Sequence, residues 1–106
     1  MITNENIEQD MEAVEWFKSL LKIDTSRLNG NEADAAAYIE QVLNKEGIDC
    51  DIFESEPERA NLVARLKGGD KPPLLLISHL DVIEAHEDKW IHPPFAAVED
   101  QGEIWG

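Results

Sequence analysis

Leu74-Leu75-Leu76-Ile77 is an aliphatic run of strand length, set behind the turn-forming stretch Lys67-Gly68-Gly69-Asp70-Lys71-Pro72-Pro73. Consecutive apolar residues leave no side for water, so the run predicts a strand over residues 74–78 buried on both faces. Such a strand needs neighbours on both edges and cover above and below. The chain then reads Ser78-His79-Leu80-Asp81-Val82. Open α/β sheets keep their functional groups where strands of this kind leave the core. Side chains alternate along extended backbone, so His79 and Asp81 are expected on one side. An imidazole backed by a carboxylate is the usual arrangement of a metal-bound histidine and its support.

The rest of the chain supplies elements of both types. Ile7, Met11, Val14, Phe17 and Leu21 recur at helical spacing, which predicts an amphipathic helix from about residue 4 to residue 21, capped by Thr3 or Asn4. Glu5, Glu8, Asp10 and Glu12 lie early in it, where the helix dipole favours anions. After the turn-rich loop of residues 24–30, a second helix is expected over residues 31–46. Its inward residues are Ala33, Ala36, Ala37 and Leu43, with parts of Tyr38, Ile39 and Val42, and Gly47 follows as its terminator. Ile48, Cys50 and Ile52 alternate with Asp49 and Asp51, a half-exposed strand. Residues 61–66 suggest an antiparallel neighbour across the loop of residues 54–60. Residues 84–89 form a solvated loop and Trp90-Ile91-His92-Pro93-Pro94-Phe95 a rigid connector. A closing hairpin over residues 96–106 is expected to turn at Glu99-Asp100-Gln101-Gly102.

This order predicts the α/β class, with two helices and a mixed sheet. Two helices and a few strands do not fully cover the 74–78 strand. The expectation is therefore self-association, or a protein that continues past Gly106.

With 106 residues the chain is one small domain at most. Its net charge of −14, from 23 acids against 9 bases, argues against nucleic acid and anionic membranes as partners. Cys50 is the single cysteine, so no internal disulfide forms. No apolar run approaches a membrane span, and the first residues lack the pattern of a signal peptide. A cytoplasmic location is expected.

Other site readings are weaker. His86 stands among Glu84, Glu87 and Asp88 and reads as an exposed ring in an acidic loop, while His92 precedes Pro93-Pro94 and reads as a loop residue. Ser78 and His79 are neighbours on alternating sides, and no Gly-x-Ser-x-Gly elbow is present, which argues against a serine hydrolase. Cys50 reads as core filler. Lys67-Gly68-Gly69 lacks the remainder of a phosphate loop. Trp90, Phe95 and Trp105 read as packing residues.

Three blocks in order, Ser78-His79-Leu80-Asp81-Val82, Trp90-Ile91-His92-Pro93-Pro94-Phe95 and Asp100-Gln101-Gly102-Glu103-Ile104-Trp105-Gly106, resemble the N-terminal part of the two-zinc metallopeptidase and amidohydrolase family. That family includes aminoacylases, acetylornithine deacetylase, succinyl-diaminopimelate desuccinylase and glutamate carboxypeptidases. Leu21-Lys22-Ile23-Asp24-Thr25-Ser26, Gly30-Asn31-Glu32 and the segment of residues 60–66 agree, so the resemblance covers nearly the whole chain.

The resemblance implies that residues 1–106 are an N-terminal fragment of a catalytic domain. It implies His79 as a zinc ligand and Asp81 as the catalytic-site carboxylate that orients it. The implied parent holds two zinc ions and hydrolyses a peptide or an N-acyl amino acid amide. The bridging aspartate, the general-base glutamate and the remaining ligands of the family follow later in its sequence and match nothing before Gly106. The fragment alone is thus expected to bind zinc weakly at most and to be inactive. Ile83-Glu84 stand where the family often has a proline, a departure that affects the loop. The alternative expectation is a non-catalytic, self-associating or regulatory domain derived from such an enzyme.

Overall fold

The computed structural model describes residues 4–26, 28 and 30–106, with side chains from residue 7 onward. It divides into two compact units, Thr25–Ile83 in one and Met1–Asp24 with Glu84–Gly106 in the other. The α/β class stands. Its described strands form two separate two-stranded antiparallel sheets, and among the described residues parallel pairing is limited to the Ser26–Val82 bridge.

In the first unit, helix α1 (Glu32–Lys45) lies against the hairpin of β1 (Cys50–Glu56) and β2 (Arg59–Ala64). Small residues set this contact. Ala35 and Ala36 on the helix and Ala60 on β2 are buried, and Glu32 joins them at the first turn. The buried stripe is therefore shifted from the expected one, with Ala33 and Ala37 at its margin.

Gly47 ends α1 at φ 73°, a left-handed conformation that glycine adopts without penalty. Its N–H donates to Asn44 O and that of Ile48 to Leu43 O, which satisfies two terminal carbonyls. The hairpin turns at Pro57-Glu58, tighter than the expected loop. Proline presets the first turn position, and Glu58 takes φ 68° at the second. The Ala33 N–H donates to Glu58 O and ties the helix start to this turn.

In the second unit, helix α2 (Asn4–Leu21) matches the expected bounds; the candidate cap Thr3 lies outside the described residues. Its apolar stripe is not covered: Met11 is 65% and Phe17 50% exposed. Trp16 and Leu20 are the better shielded residues. The closing hairpin pairs β3 (Val98–Asp100) with β4 (Glu103–Trp105) around Gln101-Gly102. Both turn residues have positive φ, 52° and 83°, the twist a two-residue hairpin requires. Lys18 of α2 bridges Glu99 of β3 at 3.0 Å.

The largest departure concerns residues 74–78. They form no strand, and Leu74, Leu75, Leu76 and Ile77 are 84, 77, 84 and 85% exposed. The expected buried strand is therefore corrected to an unpaired apolar segment. The reason is physical: a strand buried on both faces requires non-local neighbours, and among the described residues none pairs with it. The half-exposed strand is corrected as well, since β1 beyond Cys50 is exposed on both sides.

Candidate metal-ligating site

His79 and Asp81 follow the exposed segment, and their position is set by its downstream anchor. Thr25 Oγ1 donates to Leu80 O at 2.7 Å, and the Val82 N–H donates to Thr25 O at 3.1 Å. With the Ser26–Val82 bridge, these bonds pin residues 80–82 to a loop segment in which Thr25 and Ser26 are buried. Thr25 is a positioning residue that pattern reading missed. The contact spans 55 positions, and only its place in the Asp24-Thr25-Ser26 block of the resemblance marked it.

His79 Nδ1 lies 2.7 Å from the Asp81 backbone oxygen and 3.3 Å from Asp81 Oδ1. Both partners are oxygens, and the carbonyl can only accept, so the proton of a neutral ring sits on Nδ1. Nε2 then keeps a lone pair. The His79 side chain is 82% exposed and that of Asp81 45%. The arrangement can present one neutral nitrogen donor to a cation, oriented from behind by Asp81.

The donor set is partial. Among the described residues, no three His, Cys, Asp or Glu side chains are placed to hold a metal ion. A catalytic zinc takes about three protein ligands. The residues present fit one corner of a metal centre and not a whole one.

The other candidates meet partners of their own. His86 Nε2 is 3.9 Å from Glu84 Oε2, at the limit of an ion pair, on an exposed loop. His92 has a structural role: its Nε2 is 3.3 Å from Asp100 Oδ2, and its ring meets Trp105 edge-on at 5.2 Å, which staples the connector to the hairpin. Cys50 Sγ is 3.5 Å from Ile48 O. Partial burial, with Glu40, Asp49 and Asp51 nearby, raises its thiol above the ordinary range, the reverse of an activated nucleophile.

No model of a known protein family matches the chain. Individual proteins do. The chain is 32% identical over 98 residues to a probable succinyl-diaminopimelate desuccinylase of Staphylococcus aureus, covering 92% of this chain and 24% of that protein. It is 29% identical over 101 residues to aminoacylase-1 of Mus musculus, 93% of this chain and 25% of that one. An N-formyl-4-amino-5-aminomethyl-2-methylpyrimidine deformylase of Halalkalibacterium halodurans is 39% identical over 80 residues, 72% of this chain and 19% of its own.

These matches are consistent with the amidohydrolase family that the motifs resemble, and the first two cover more than nine-tenths of this chain. It spans about a quarter of the length of the curated relatives it matches.

Proposed function

We propose that the chain is the N-terminal portion of the catalytic domain of a metal-dependent amidohydrolase, acting on a peptide or N-acyl amino acid amide in a reducing, cytoplasmic setting. The observation that carries this reading is the His79–Asp81 pair, with its free Nε2 open to water, in a chain matched across 92% of its length by a relative named as a desuccinylase. The names desuccinylase, aminoacylase and deformylase share one reaction type, removal of an acyl group from an amine.

In this reading His79 Nε2 is one zinc donor, and Asp81 holds the ring in the tautomer that leaves Nε2 unprotonated. Bound zinc supplies Lewis-acid polarisation of a carbonyl and a water acidified towards neutral pH. Thr25 fixes the backbone on which both residues stand. A single donor leaves the 106-residue chain inactive by itself. No helix among the described residues is long and apolar enough to cross a membrane, which agrees with a site that meets its substrate in water.

The test is a chimera in which this chain replaces the matched 98 residues of the Staphylococcus aureus relative. We expect hydrolysis of N-succinyl or other N-acyl amino acids, reduced at least a hundredfold by His79→Ala together with loss of bound zinc. An active chimera whose turnover and zinc content survive His79→Ala contradicts the proposal.

A further inference from the structure

Glu32 is a charged group in the interior with only half of its carboxylate satisfied. It stands at the first turn of α1, and its side chain is 9% exposed. Oε1 accepts from Arg59 Nη1 at 2.9 Å, while Oε2 is buried with no partner among the described residues. Burial strips a carboxylate of its water, and a partner that is itself 39% exposed offsets only part of that cost. An apolar pair of similar size would hold α1 to β2 as firmly. The ion pair therefore contributes direction rather than stability.

What it directs lies beside Arg59. A Cβ added to Gly30 would stand 3.7 Å from Arg59 Nε and 3.9 Å from its Cγ and Nη2, so the arginine side chain runs alongside Gly30 on its way to Glu32. The Gly30 N–H donates to Ser26 O at 3.0 Å, and its carbonyl accepts from the Glu32 N–H at 2.8 Å. Ser26 in turn bridges Val82, and Thr25 bonds both Leu80 O and the Val82 N–H. His79 and Asp81 flank Leu80. All of these residues belong to the Thr25–Ile83 unit.

We propose that Arg59 and Glu32 are positioning residues for the His79–Asp81 pair. The guanidinium, oriented by the buried carboxylate, fixes Gly30; Gly30 fixes Ser26 and Thr25; and these fix residues 80–82. The inference rests on the metal reading, because the placement of His79 matters only if it is a donor.

The test replaces the ion pair by an apolar pair, Glu32→Met with Arg59→Met. In the 106-residue chain this double variant should keep its urea midpoint. The Val82 amide should exchange with deuterium about tenfold faster, while amides of β2 keep their rates. In the chimera with the Staphylococcus aureus relative, the same two substitutions should weaken zinc binding about tenfold by chelator competition, the scale on which groups behind a metal ligand act. An unchanged Val82 rate or an unchanged zinc affinity overturns the inference. So does a lowered urea midpoint with faster exchange throughout β2, which would make the pair merely structural. His79→Ala in the same chimera tells the two readings apart. Zinc lost there but held by the double variant removes the positioning role alone, whereas zinc retained after His79→Ala removes the metal reading and this inference with it.

Discussion

Two stretches within Thr25–Ile83 meet water in opposite ways. The apolar residues that the helix–hairpin of α1, β1 and β2 buries are alanines, joined by Glu32, yet it closes on itself through a helix cap, a tight turn and the Ala33–Glu58 bond. Residues 74–77 are far more apolar and remain exposed. Hydrophobicity alone therefore does not decide burial in this chain. Elements whose partners lie nearby in sequence complete themselves, whereas a doubly buried strand waits for non-local neighbours.

The sharpest way to break this contrast is to place the same charge in both stretches. Ala36 is 0% exposed, so Ala36→Asp buries an unpaired carboxylate and should cost more than about 3 kcal/mol in urea unfolding. Leu76→Asp should change the stability of the dilute chain by no more than about 0.5 kcal/mol. Comparable losses at the two sites would mean that residues 74–77 are covered after all.

A smaller effect is expected at the ion pair that closes the helix–hairpin. Arg59 Nη1 meets Glu32 Oε1 at 2.9 Å, and the Glu32 side chain is only 9% exposed. Because the Arg59 side chain is 39% exposed, solvent screens the pair. Arg59→Ala should cost about 1–2 kcal/mol in the same assay, mainly by stranding the buried Glu32 carboxylate. A neutral result would show that Glu32 is hydrated.

Thr25→Val probes the junction between the two stretches. It deletes the bond to Leu80 O and should cost about 1 kcal/mol. The amide of Val82 should exchange with deuterium faster, while amides of β2 keep their rates. Unchanged exchange at Val82 would remove Thr25 from its positioning role.

The smallest effect concerns the other unit. The hydrogen bond from Lys18 to Glu99 raises the lysine above its ordinary value, against some opposing desolvation and with help from Glu15. A raised folded-state value means that the contribution is complete below the ordinary lysine range and fades as pH climbs through the raised one. The difference in thermal stability between the chain and Lys18→Met should accordingly stay constant through neutral pH. In alkaline solution the difference between the chain and Lys18→Met should shrink.

Legibility followed the same division. The α2 bounds could be read from periodicity, the end of α1 from Gly47, and the closing hairpin from Gln101-Gly102, because each signal is local. β1 runs three residues and β2 two residues into the expected loop, since Pro57-Glu58 makes a turn shorter than composition suggests. The 74–78 strand failed because its signal states a requirement for partners, and the described residues do not meet it. At the site, His79 and Asp81 could be singled out as neighbours two residues apart, whereas the hold of Thr25 on Leu80, fifty-five positions away, carried no periodic signature.

The most direct test of the metal assignment is a zinc titration of this chain followed through the imidazole nitrogens of its three histidines by NMR. The account predicts a weak, saturable change at the Nε2 resonance of His79, absent from His86 and His92 and abolished by His79→Ala. A response centred on His92 or His86, with none at His79, would contradict it.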